Sequence, residues 1–136
     1  MVAATQQALG ALERAALVLE SGQEPEVLQA GARRLVNEGK AEIVALTLGH
    51  LGALLVTREA MWFAPPLDMP VASAVGAGDS FVGGMVAALQ QRQPLQEAFA
   101  LGVAAGSATL LSIGTGLCSP EDVQRLLPQV QIQPAD

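Results

Sequence analysis

The chain has 136 residues, 51% hydrophobic and 15% charged, the make-up of a folded globular chain with enough length for one domain and its core. Seven Lys and Arg against 13 Asp and Glu leave a net charge of −6, so neither a nucleic-acid backbone nor an anionic membrane surface is an expected partner. A single cysteine, Cys118, and a single histidine, His50, exclude an intrachain disulfide and a Cys/His zinc cluster.

No signal-peptide pattern follows Met1, and no run approaches the roughly 20 apolar residues of a membrane helix, so a cytoplasmic setting is the default expectation. From Ala3 to about Glu20, Ala, Leu, Gln and Glu dominate, with Leu9, Leu12, Ala16 and Leu19 at three- and four-residue steps; this spacing predicts an amphipathic helix closed by Ser21 and Gly22. Val27, Leu28, Ala32, Leu35 and Val36 predict a second helix over 25–37, with Gly39 as its C-terminal stop. Ile43, Val44, Ala45 and Leu46 form a short run apolar on both faces, as in a buried strand. Strands are also expected at 53–57 and 61–63, before the break at Pro65 and Pro66.

Past Pro70 a glycine-rich loop, Val75 to Ser80, feeds a helical pattern through Phe81, Met85 and Leu89. Pro94 separates it from a nearly uncharged helix, Leu95 to about Ser112, whose composition implies burial on most faces. Ser119, Pro120, Glu121 and Asp122 read as N-cap, first helical residue and acidic first turn of a last helix to about Leu127, and the tail from Gln129 is expected to fray. Alternating helices and apolar strands indicate an α/β layer structure, although only three or four strands can be placed.

The chemistry concentrates at Gly76, Ala77, Gly78 and Asp79. Small residues at a loop-to-helix junction let backbone N–H groups converge beside the positive end of a helix, where an anion such as a transferring phosphoryl group can be held. Asp79 stands where a carboxylate could take a proton from an attacking hydroxyl. The plainer alternative is a tight turn with Asp as a helix-start residue. A Walker A loop is excluded, since no Gly-Lys-Ser/Thr follows.

The stretch A-V-G-A-G-D-S-F-V-G-G, residues 74–84, resembles the second signature of the ribokinase-like (PfkB-type) carbohydrate kinases. T-L-G-H-L-G, residues 47–52, is similar to that family's nucleotide loop; G-V-A-A-G-S-A-T, residues 102–109, and G-T-G-L-C-S, residues 114–119, are similar to the adenine-side helix and following loop of its phosphofructokinase and tagatose-6-phosphate kinase branch. Four ordered blocks within residues 42–127 carry the resemblance.

The resemblance implies a partial ribokinase-like fold over 1–136: a small, mostly parallel sheet with helices on both faces, lacking the N-terminal half and its lid, with residues 1–22 packed atypically. It implies in-line transfer from ATP to a sugar phosphate, Asp79 as base and the N–H groups of Gly76, Ala77 and Gly78 as the anion hole. Thr47, Gly49 and Gly52 would contact the ATP phosphates and ribose, and Val103, Gly106 and Ser107 the adenine. On residue type alone, Thr47 is equally a strand-end hydroxyl, Gly49 and Gly52 a hairpin turn, and Val103, Gly106 and Ser107 a small-residue face for close helix packing. A monovalent cation such as K+ would take oxygens of Ser73, Val75, Thr109, Ser112 and Gly114, although Ser112 and Gly116 stand where relatives carry Asn and Arg. Mg2+ would be held mostly through the nucleotide phosphates.

The family's Asn-x-x-Glu element reads Gly10, Ala11, Leu12, Glu13 here, so Glu13 is kept and the Asn is not. The sugar phosphate is expected as a partner only if the N-terminal half is supplied. The other expectation is a non-catalytic remnant or structural module that covers its exposed apolar faces as a homo-oligomer.

Overall fold

A computed structural model describes residues 2–4, 15–19, 25–48, 51–68, 77–111 and 119–135, with side chains from Gln29 onward. The chain divides into two compact units, Met1–Pro66 with Gln133–Asp136, and Leu67–Ile132.

The first unit is built on a sheet of six strands, β1 (Val2–Ala4), β2 (Ala15–Leu19), β3 (Ile43–Thr47), β4 (Ala53–Thr57), β5 (Met61–Ala64) and β6 (Gln133–Pro134), adjacent in that order. Helix α1 (Pro25–Asn37) links β2 to β3, the one parallel pair; the other four pairs are antiparallel. The expected mostly parallel sheet is therefore corrected. The segments 48–52 and 58–60 are too short for a crossover, and strands joined so tightly must run antiparallel.

The helix expected over 3–20 is also corrected, because Val2–Ala4 and Ala15–Leu19 are strands, and with β6 they raise the strand count from three or four to six. Pairing of Ala15–Leu19 along all five residues of β3 overrides the helix preference of its Ala and Leu, which is a weak force beside a full ladder. The tail is likewise less frayed than expected: Leu127–Gln129 forms a 3-10 turn, and Gln133–Pro134 pairs with β5, where Ala135 donates its N–H to the Met61 carbonyl at 2.9 Å.

α1 ends as its composition predicts. Gly39 adopts φ 75°, and the N–H groups of Lys40 and Gly39 return to the carbonyls of Leu35 and Val36, a left-handed cap that a glycine accepts without cost from a side chain. Its buried face, Ala32 and Val36, packs with Val44, Leu46, Leu54, Val56 and Met61 in one core. Ala45, Leu55 and Ala64, pointing to the other side of the sheet, are buried as well, as expected of continuous apolar strands.

The second unit is helical: α2 (Ala77–Gln90), α3 (Leu95–Leu110) and α4 (Pro120–Leu126). α2 ends in the same kind of cap as α1, but with Arg92 at φ 61° in the left-handed position, its N–H returning to Leu89 and that of Gln93 to Ala88. The turn folds α3 back along α2. Contact is close because glycines lie in the seam: a Cβ on Gly84 would meet the Leu101 carbonyl at 3.0 Å, and one on Gly102 would meet Met85 Cγ at 2.7 Å and the Phe81 carbonyl at 2.9 Å. Phe81 and Phe99, both buried, meet edge to face with centroids 6.1 Å apart. Ala104 and Ala108 pack with Leu126, Val123 and Leu127 at the α4 end. Among the described residues, no helix is long and apolar enough to cross a membrane.

Candidate functional site

In the second unit, Ala77, Gly78 and Asp79 form the first turn of α2. The first N–H groups of a helix have no partner within it and carry its partial positive charge, so a helix start that also bears Asp79 is a place where an anion could be held. Asp79 is exposed, whereas Ala77 and Gly78 are half-buried. Gly76, the first donor predicted for the anion hole, lies outside the described residues.

Beside Asp79 opens a concavity of about 480 Å³, between Asp79, Ser80, Gly83 and Gly84 of α2, Leu101 and Ala105 of α3, and Pro120, Val123 and Gln124 of α4. Its size suits a small ligand. Its walls are largely aliphatic or glycine, and its polar side chains come from Asp79, Ser80 and Gln124.

The first turn of α2 is held against α3 at two points one helical turn apart. Gly106 sits under Ala77, where an added Cβ would meet the Ala77 carbonyl at 3.1 Å. Thr109, 1% exposed, lies 2.5 Å from the Ser80 hydroxyl and donates to the Ala105 carbonyl at 3.1 Å. The close-packing reading of Gly106 thus has a structural basis. Val103 and Ser107, half-buried, share a neighbouring stripe of α3.

In the first unit, Thr47 ends β3 and Gly52 precedes β4, so both stand on the loop of a β-hairpin whose register pairs Thr47 with Ala53. The loop closes with the Leu48 N–H on the Gly52 carbonyl at 2.8 Å. Gly52 has φ 109°, and a Cβ there would lie 2.3 Å from the Ala64 carbonyl, so only glycine fits. Gly49 and His50 are outside the described residues.

Of the predicted cation ligands, Ser73, Val75, Ser112 and Gly114 are outside the described residues, as are Glu13 and Cys118. Thr109 is the described member, and its hydroxyl is already engaged by Ala105 and Ser80. Among the described residues, no group of three or more His, Cys, Asp or Glu side chains could hold a metal ion. At the head of α4, Ser119 occupies the N-cap position but gives its hydroxyl to Glu121 Oε2 at 2.6 Å rather than capping the backbone. That bond, followed by the residue's own backbone N–H, holds the Glu121 carboxyl below the usual glutamate range. Sequence reasoning did not single out Ser80, Leu101, Val123 or Gln124; helical spacing places 80, 83 and 84 on one stretch of α2, and 101 and 105 on one stripe of α3, which was the available signal.

The family model for pfkB family carbohydrate kinases matches residues 9–122. Over 114 residues the chain is 42% identical to the ATP-dependent 6-phosphofructokinase isozyme 2 of Escherichia coli K12, which covers 84% of this chain and 37% of that protein. It is 45% identical over 100 residues to the 1-phosphofructokinase of Bacillus subtilis 168, covering 74% of this chain and 32% of the relative. The crystal structure of phosphofructokinase-2 from Escherichia coli in complex with potassium matches with a TM-score of 0.76 and 37% identity, over 83% of this chain and 40% of that one. The chain therefore spans between 32% and 40% of the length of these relatives. With the model match running through the Asp79 turn and both helices behind it, the chain belongs to the pfkB family of carbohydrate kinases.

Proposed function

We propose that this chain supplies the phosphate-holding turn and the catalytic base for phosphoryl transfer from ATP to a hydroxyl of a sugar phosphate. The observation that carries the reading is the placement of Asp79 in the first turn of α2, together with Ala77 and Gly78, at the edge of an open concavity. In this reaction the Asp79 carboxylate accepts the acceptor's hydroxyl proton. The freed oxygen bonds the terminal phosphorus as the bond to ADP breaks, and the N–H groups hold charge on the moving oxygens.

In this reading Thr47, Gly49 and Gly52 contact the phosphates and ribose, and Val103, Gly106 and Ser107 the adenine, a reading that the family match supports. The acceptor in this reading is a sugar phosphate, in keeping with relatives named phosphofructokinases. Mg2+ would supply charge neutralisation through the nucleotide, since the described residues offer it no carboxylate cluster. A self-associating structural module would require an exposed apolar face; among the described residues, Leu51, 43% exposed, is the large hydrophobic side chain that stands out.

Isothermal titration of the chain with ATP and Mg2+ tests the reading. Wild type and Asp79→Asn should bind within about threefold of each other, because main-chain donors rather than the carboxylate hold the phosphate, while Gly78→Trp should lose binding. Absence of binding by wild type, or unchanged binding by Gly78→Trp, would remove the proposal.

A further inference from the structure

We infer that Thr109 is a positioning residue for the phosphate-holding turn, acting through the hydroxyl of Ser80; the inference rests on the function proposed above. Thr109 is 1% exposed, so its hydroxyl must find its partners inside the protein. The Ala105 carbonyl, 3.1 Å away, can only accept, which assigns the single Thr109 hydrogen to it. Ser80, 2.5 Å away, is then the donor to Thr109 when both bonds are made. One hydroxyl thereby ties the backbone of α3 to the residue that follows Asp79.

The second point of contact makes the tie a constraint on orientation. Gly106 and Thr109 are three residues apart on α3, and Ala77 and Ser80 are three apart on α2, so each pair spans about one turn of its own helix. Gly106 sets how closely the Ala77 peptide approaches α3, and the Ser80–Thr109 bond sets how α2 is rotated about its axis. Turning α2 about its axis would redirect the Ala77 and Gly78 N–H groups and stretch that bond. Ser80 also lines the concavity beside Asp79, but this role requires neither residue to touch the nucleotide.

The test compares ATP, with Mg2+, against AMP in titrations of the whole chain. AMP carries the adenosine but not the β and γ phosphates, so a loosened turn should penalise ATP alone. Thr109→Val, which keeps the shape and removes the hydroxyl, should weaken ATP binding roughly tenfold, about 1.4 kcal/mol and the worth of one hydrogen bond, and leave AMP within about twofold. Thr109→Ser should restore ATP binding to within about twofold of wild type. Ser80→Ala, which leaves Thr109 bonded to Ala105, should reproduce the Val effect and serves where Thr109→Val fails to fold. Equal losses for ATP and AMP, no loss in either variant, or failure of Ser to rescue would overturn the inference.

If wild type binds neither nucleotide, the proposed function falls, and hydrogen exchange decides the positioning role instead. The amides of Phe81 to Gly84, which close on the first-turn carbonyls, should then exchange about tenfold faster in Thr109→Val, with the middle of α3 unchanged and Ser restoring protection. Uniform acceleration, or none, would overturn it by this route.

Discussion

Gly52→Ala would set a methyl group 2.3 Å from the Ala64 carbonyl, about 1.1 Å inside the 3.4 Å at which ordinary contact begins. The obstacle is backbone, so no rotamer can give way; β5 must move off the β3–β4 loop or the loop must open. Ala64 is paired with Ala53 and fully buried, so movement of that size breaks ladder hydrogen bonds in a place water does not reach. Backbone strain at φ 109° adds about 1–3 kcal/mol, and a broken buried bond adds about 1–3 kcal/mol. The sum is about 2–6 kcal/mol, which at urea slopes typical of small proteins lowers the unfolding midpoint by on the order of 2 M. Urea titration followed by far-UV circular dichroism reads it. A midpoint shift under about 0.5 M would refute the steric argument, and unchanged stability with lost ATP affinity would make Gly52 a ligand contact rather than a turn residue.

The glycines in helices should split by environment. Gly31→Ala, with nothing within 4 Å of the new Cβ, should stabilise by about 0.5–1 kcal/mol, whereas Gly102→Ala, crowded by the Phe81 carbonyl at 2.9 Å, should destabilise by about 1–2 kcal/mol despite the same gain in helix propensity; urea midpoints of both variants decide. Arg92→Gly removes a side chain from the left-handed cap of α2 and should raise stability by about 0.5–1 kcal/mol, seen as a higher melting temperature. Ser119→Ala should move the Glu121 carboxyl upward in an NMR titration. The sign is that of a depressed acid: the Ser119 bond supports folding above the ordinary glutamate range and loses that support as pH falls through the lower folded-state value, so the variant's stability should depend less on acid pH.

Much of the site was legible because its signals are local. A glycine pair followed by Asp at the foot of an apolar helical pattern marks α2 and places Asp79 in its first turn without any long-range information. Gly39, expected as a helix stop, and Gly52, whose plainer alternative to a nucleotide contact is a hairpin turn, both have positive φ, since such demands are written in single residues. The misread parts depend on distant partners. Ala15–Leu19 has the same unbroken apolar character as Ile43–Thr47, yet its Ala and Leu continue an upstream helical rhythm, and only pairing with β3 decides against a helix. Gln133–Pro134 carries no strand pattern and is strand only because β5 has a free edge to offer. The direction of the sheet, by contrast, was available from loop length: the segments 48–52 and 58–60 leave no room for a parallel return. Ser80 was passed over because its use depends on Thr109, 29 residues away.

Strands β1 to β5 lie side by side in the order in which the chain is made, and the helical unit, Leu67–Ile132, is inserted before β6. During synthesis, five strands and α1 are available to assemble before the segment bearing Asp79 has left the ribosome. β6 follows that unit in the chain and docks on β5, hiding backbone groups that would otherwise recruit a neighbouring polypeptide. Residues 133–134 thus close this edge only once the helical unit has been made, and until then β5 shows a bare strand to its surroundings.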